Sequence, residues 1–355
     1  MASAEIPFAL CDFNCGNLSR TANATWSHRI STANPYWLNL FHINADQMDV
    51  ALANLGKSFF ANHYNIGFWH WETPDFPDKW LSAFATVDEV WVPSQFVLDS
   101  ISAKAPCPVI RMPHAIRFDV NSENVTRASF GLPHNSFLFL AMSDLRSGQF
   151  RKNPVGAIAA FRQAFPKPEN IGLVIKINNG ASDPDEIRQL RAYVNDMPNV
   201  FVIDRTLSRQ DTYNLEAVCD CFVSLHRAEG FGLGLAESMF LGKPVIGTNW
   251  SGNRDFMNPT NSCPVNYQLV SLKRDCGPYA AGHIWAEPDL DHAAWYMRQL
   301  VENQSWRQWL AANGQQTIRT EFAPETVGGM YRRRLGTLIG QLRANCPGRA
   351  TSSLV

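Results

Sequence analysis

Two glutamates eight residues apart, Glu229 and Glu237, bracket the glycine-rich run Gly230–Phe231–Gly232–Leu233–Gly234. An ionised carboxylate only accepts hydrogen bonds, and its two oxygens suit adjacent hydroxyls of a sugar or a ribose. Glycines at a strand end let backbone amides approach a ligand closely, and the N-terminus of a following helix favours a negative group. The run therefore offers amides for phosphate and acids for hydroxyls. Rival chemistries fit it less well. A dinucleotide fingerprint needs Gly-x-Gly-x-x-Gly, whereas this run reads Gly-x-Gly-x-Gly and leaves Asp255, about twenty residues on, as a coincidence. A glycosidase needs two carboxylates across a sugar bond, and no sequence spacing supplies that gap. Ordinary loop glycines beside a solvated glutamate are the structural alternative.

The elements that must position this run can be read from the apolar pattern. Short apolar runs appear at 8–13 (FALCDF), 38–43, 64–69, 89–93 and 107–112, with helix candidates near 46–56, 77–87 and 94–103. The scheme repeats at 137–142, 173–177, 200–203, 221–225 and 244–248. Brief apolar runs separated by longer periodic segments are the signature of parallel strands covered on both faces. Two such blocks predict an α/β protein of two doubly wound domains. The polar stretch 116–133 breaks the alternation. The division read from it is a first domain at 1–125 and a second at 126–325. Residues 326–355 are expected to form a helix packing back towards the first domain, followed by a frayed tail. The glutamate-flanked run falls in the second domain, between the apolar run at 221–225 and a helix candidate.

Two helix starts there follow from capping chemistry. Asn153–Pro154 puts a capping side chain before a first-turn proline. Asp183–Pro184–Asp185–Glu186 does the same, with an acid three residues on. Asp183-x-Asp185 also mimics a metal-binding pair, but capping accounts for each of its residues, so no metal is expected.

Composition narrows the function classes. The chain has 355 residues, 31 Lys plus Arg against 32 Asp plus Glu, and 45% apolar residues. A balanced charge argues against a protein that grips nucleic acid by charge. No run of about 18 apolar residues is present to span a bilayer. The N-terminus lacks a basic start followed by a long apolar core, so no signal peptide is read and a cytoplasmic chain is expected. Balanced net charge is still compatible with a local basic patch docking at the inner face of a membrane. Eight cysteines are too dilute for a disulfide scaffold, and none shows zinc-like pairing.

The run from Glu229 to Glu237, with Gly242–Thr248 after it, resembles the Glu–seven residues–Glu motif of the retaining glycosyltransferases of family 4, also called glycosyl transferases group 1. The resemblance extends over 137–165, 202–227 and 248–257. In the first half, 43–48, 65–80 and 88–97 are similar to a bacterial subgroup with surface-polysaccharide members. It implies a GT-B fold, two Rossmann-like domains facing across a cleft, and transfer of a hexose with retention from a nucleoside diphosphate sugar to a hydroxyl.

By that resemblance, Glu229 would contact the transferred hexose, with the backbone of Phe231, Gly232 and Leu233 nearby and Gly234 completing the turn. Glu237 would hold the ribose hydroxyls. Lys152 would neutralise the departing diphosphate; Arg151 would share that role or split between solvent and phosphate, and His226 would approach the donor or cap the strand end. His70 matches a histidine lining the reaction centre, and Glu72 is a candidate acceptor contact or base. No cofactor beyond the donor is expected; GDP-mannose and UDP-hexoses both fit, as do glycan and lipid-linked acceptors. Two departures stand out. Ala141–Met142–Ser143–Asp144 replaces the usual Gly-Arg, with Arg146 or Ser147 as substitutes, and the N-terminus lacks the usual glycine-rich turn, so either a short first domain or a chain starting downstream of a missing first βα unit is expected. Those departures keep open a catalytically silent carbohydrate-binding or scaffolding protein of the same fold.

Overall fold

A computed structural model describes residues 1–13, 15, 24–120, 125–167 and 170–345. The apolar runs of the first half become four strands, β1 (Leu38–Phe41), β2 (Tyr64–Phe68), β3 (Glu89–Val92) and β4 (Val109–Arg111). They pair in parallel in the order β1-β2-β3-β4. Burial on both faces explains the unalternating composition of the two inner strands: every residue of β3 is buried, and all of β2 but Tyr64. The helix Gln95–Ser102 begins where Ser94 accepts from the Val97 amide, a side-chain cap on an orphan donor.

Two expectations for this half are corrected. The run 8–13 forms no strand; Leu10 makes only an isolated bridge to Ile30. Both are exposed, and Phe8 meets the exposed Trp26, so the run buries none of its residues and pairs with no strand. Residues Asp78–Thr86 form 3-10 turns rather than an α-helix. Here packing overrides helical period: Trp69, Trp71, Phe76, Trp80 and Phe84 interlock with ring centroids 4.9–6.4 Å apart. Trp69, Trp71 and Trp91 are buried, as core residues rather than open sugar platforms.

The first unit comprises 1–71, 75–115 and 322–355. Its helix Pro324–Asn345 adds Leu335 and Leu338 to the cluster of Ile66, Phe68, Trp91 and Met112. Arg334 on that helix bonds both oxygens of the fully buried Glu89. Trp91 Nε1 donates to the same carboxylate at 2.6 Å and Tyr64 Oη at 3.2 Å, so its charge is paired and its lone pairs are used.

The second unit comprises 72–74 and 116–321. Its parallel sheet contains β5 (Phe137–Asp144), β6 (Ile171–Asn178), β7 (Val200–Asp204), β8 (Cys221–Ser224), β9 (Val245–Thr248) and β10 (Cys263–Val265). Their order is β10-β9-β8-β5-β6-β7. Because β5 neighbours both β6 and β8, the order reverses there, and the ends of β5 and β8 flank a topological switch point where ligands bind in such sheets. Asn153 caps the helix Pro154–Ala164 through the Gly156 amide, with Pro154 in the first turn. Asp183 caps Pro184–Tyr193 through the Glu186 amide. An antiparallel pair that the sequence reading did not identify, β11 (Tyr267–Ser271) and β12 (Ile284–Pro288), follows the sheet. Among the described residues, no helix is long and apolar enough to cross a membrane.

Candidate functional site

The chain leaves β8 at Ser224, passes Glu229 and enters the helix Leu233–Phe240 through Gly232. Gly232 has φ of 97°, a backbone conformation that side chains resist, and caps the helix without a side-chain acceptor. The capping residue thus offers no side-chain acceptor to the first-turn amides, which a helix start ordinarily needs to satisfy. A neighbouring loop closes on this bend: Gly252 N–H donates to Glu229 O at 2.9 Å, and a Cβ on Gly252 would overlap Gly230 O. Ser251 Oγ accepts from the Glu229 amide at 2.8 Å. Phe231 is buried against Phe256, whereas Leu233 is exposed.

The short helix Gln149–Lys152, just beyond β5, supplies two cations to the bend. Arg151 Nη1 lies 3.0 Å from Glu229 Oε1 and donates to Ala228 O at 2.9 Å. Lys152 Nζ bonds the same Glu229 oxygen. Burial alone would raise the Glu229 carboxyl, but Lys152, Arg151 and His226 outweigh it and hold it at about 2. Arg151 also stands 3.9 Å from Glu72 Oε1, and Tyr279 Oη donates to Glu72 Oε2 at 2.8 Å. One chain of contacts thus runs Lys152–Glu229–Arg151–Glu72–Tyr279.

The β11–β12 hairpin builds part of this site. Its connection, 272–283, carries Tyr279 and places His283 Nδ1 3.1 Å from Thr73 Oγ1. Glu287 on β12 takes both Nε and Nη2 of Arg227, and Ala286 N–H donates to Arg227 O. Arg227 in turn donates to Phe150 O and to Arg151 O, from Nη1 and its amide respectively. The hairpin therefore fixes the two-cation turn to the bend. Only the tyrosine in a loop between two short apolar runs could have signalled this contribution beforehand.

Glu237 lies apart from that chain. It is buried and its Oε1 pairs with Arg209 Nη2. Burial pushes its carboxyl up to about 7, against the opposing pull of Arg209. His226 is fully buried, with Nδ1 3.0 Å from Ser224 Oγ and Nε2 3.1 Å from Asn253 Oδ1. Burial lowers its pKa. Both ring nitrogens are engaged inside the protein, so the imidazole braces the bend between β8 and the loop that carries Asn253.

His70 belongs to the first unit, at the end of β2. Its amide donates to Asn44 Oδ1 at 2.9 Å, and its Nε2 lies 2.8 Å from His114 Nε2. The two rings are nearly parallel, 5.0 Å apart, with Phe68 5.4 Å from each. Burial, then the charges of His70 and His42, press His114 down to about 3. The short contact requires one imidazole to donate and the other to accept.

In the position of the usual Gly-Arg, Asp144 Oδ1 accepts from the Arg146 amide and both its oxygens accept from Asn179 Nδ2. Arg146 lines a polar cavity of about 320 Å³ at the ends of β5, β6 and β7, together with Asn179, Gly180, Asp204 and Arg205. Among the described residues no cluster of three or more metal-ligating side chains occurs.

These two parallel-sheet units place the chain among GT-B proteins. The pneumococcal O-GlcNAc transferase GtfA, solved with UDP and GlcNAc, superposes with a TM-score of 0.58 at 15% identity over 81% of this chain. The chain spans only 55% of that enzyme's length. Anabaena HepE, solved with UDP and glucose, gives 0.64 at 18% identity, covering 85% of this chain and 78% of HepE. Sucrose-phosphate synthase of Thermosynechococcus elongatus gives 0.63 at 17% identity, covering 87% and 74%. No curated protein matches the sequence significantly. Residues 123–317 match the family glycosyl transferases group 1, and the chain belongs to that family.

Proposed function

We propose that the protein is a retaining glycosyltransferase of family 4 that moves a hexose from a nucleoside diphosphate sugar to a hydroxyl of a glycan or glycolipid, in the bacterial surface-polysaccharide subgroup. The observation that carries this reading is the convergence of Lys152, Arg151 and Glu229 beside the uncapped helix start at Gly232. Leaving-group charge develops on the diphosphate during transfer. Lys152 and the amides after Gly232 would stabilise it. Glu229, held ionised, would accept hydroxyls of the hexose, and Glu237 those of the ribose. The 320 Å³ cavity at the adjacent strand ends is of a size to take a small-molecule group.

UDP in the solved relatives supports a nucleotide-sugar donor. A UDP-hexose is favoured here over GDP-mannose on that ground alone. His70 and Glu72 would serve the acceptor side. The protein would act in the cytoplasm, at the inner face of the membrane if its acceptor is lipid-linked. Glu229→Ala and Lys152→Ala should each lower transfer at least about a hundredfold, the usual effect of losing one preorganised stabilising group. Wild-type-like turnover in either variant would reject the assignment.

A second reading, a silent sugar-binding protein of this fold, is favoured by Ala141–Met142–Ser143–Asp144 at the Gly-Arg position. Slow release of free nucleotide from a donor panel supports the enzyme. Binding across the same panel without turnover supports the silent protein.

A further inference from the structure

On the helix Arg209–Val218, Arg209, Tyr213 and Glu216 fall at i, i+4 and i+7, on one face. That helix packs on Leu233–Phe240, which carries Glu237. Arg209 is held in place from two directions. Its Nη2 bonds Glu237, its Nε donates to Tyr213 Oη at 3.0 Å, and its guanidinium stands 4.6 Å from the Tyr213 ring centre. Phe118 stacks on Tyr213 at 3.7 Å and fixes that ring.

Glu216 is 2% exposed, and neither of its carboxyl oxygens has a hydrogen-bond partner. The titratable or charged groups acting on it or feeling it are Glu237 across the helix interface, Arg209 and Tyr213 on its own helix, and Cys219 just beyond. Two ionised glutamates beside one guanidinium would leave a buried negative charge uncompensated, which is strongly unfavourable. A neutral acid removes that charge. Burial, then the proximity of Glu237, raises Glu216 well above the usual carboxylate range, with Arg209 opposing.

We propose that Glu216 is a positioning residue for Glu237: it stays a neutral carboxylic acid, so that the single negative charge of the pair sits on the carboxylate that meets Arg209 and the ligand's vicinal hydroxyls. This rests on the reading of Glu237 as the ribose-binding group. When alkali removes the Glu216 proton to solvent, a second anion competes for Arg209 and repels Glu237. The geometry of the hydroxyl-binding carboxylate is then lost, and affinity for a ribonucleotide falls.

The test is calorimetric titration of the full chain with UDP, GDP and ADP from neutral to mildly alkaline pH, in wild type and Glu216→Gln. Glutamine keeps the shape and the neutrality. Once Glu237 has ionised, above about pH 7, wild type should lose affinity as pH rises further, by up to about tenfold for each unit above the Glu216 titration, while the variant keeps its affinity. A variant that follows the wild-type slope overturns the proposal. If the variant does not fold, carbon-13 spectra of glutamate-labelled wild type decide: one side-chain carboxyl should keep a neutral-acid shift above about pH 7, after that of Glu237 has ionised, and full ionisation of every glutamate there overturns the proposal. Failure of wild type to take any of the three nucleotides would instead reject the ribose reading of Glu237, and the carboxyl signal would still decide the protonation of Glu216.

Discussion

Arg151 Nη1 and Glu229 Oε1 stand 3.0 Å apart, with both side chains less than a tenth exposed. A buried pair of this kind binds its partners tightly because either alone would be a desolvated charge. Glu229→Gln should therefore destabilise the protein by about 3–5 kcal/mol, read by urea unfolding. Its pH dependence has a definite sign. The native carboxyl titrates near 2 against an ordinary 4.5, so its contribution is present above 4.5 and is lost as pH falls towards 2. Wild type should lose stability more steeply than the variant across that interval; parallel curves would contradict the pairing.

Tyr279 reaches Glu72 from a loop far along the chain. Tyr279→Phe removes one hydrogen bond to a charged group, about 1.5–3 kcal/mol, and frees Glu72 to move. Turnover with acceptor should fall roughly tenfold or more while nucleotide affinity is unchanged, since the Tyr279 hydroxyl bonds Glu72, the acceptor-side carboxylate. Equal losses in both would place Tyr279 on the donor side.

Gly252 has no room for a side chain against Gly230. Gly252→Ala should push the bend outward, at a cost of about 1–3 kcal/mol as for other overpacked sites. A thermal shift on adding nucleotide should shrink with it. A shift of full size would show that the bend is not the binding element.

Arg334→Leu should act on stability alone. It strips the cation from fully buried Glu89 and should cost about 3–5 kcal/mol. Nucleotide affinity of the folded variant, measured by calorimetry, should match wild type because Arg334 lies in the first unit.

Much of the second unit was legible because its strands are largely apolar runs: Phe137–Met142 and Leu173–Ile177, the latter broken only by Lys176, read as buried strands and lie within β5 and β6. Asn153 and Asp183 declared their helix starts through side chains that cap within three residues. The grouping of Glu229 with Lys152 was open to motif reading, since both flank strand ends. Tyr279 and Glu216 were not. Their roles come from contacts with Glu72 and Glu237 that are 207 residues distant in one case and cross a helix interface in the other, and no local period encodes either. The strand expected at 8–13 failed for a related reason, because its apolar residues found no buried surface to share.

The most direct measurement is a crystal structure of the chain with a bound nucleoside diphosphate. The expected result puts the ribose hydroxyls on Glu237, with Arg209 moved aside, and the diphosphate between Lys152 and the amides after Gly232. A nucleotide bound elsewhere, with the Arg209–Glu237 pair intact, would contradict the proposed site.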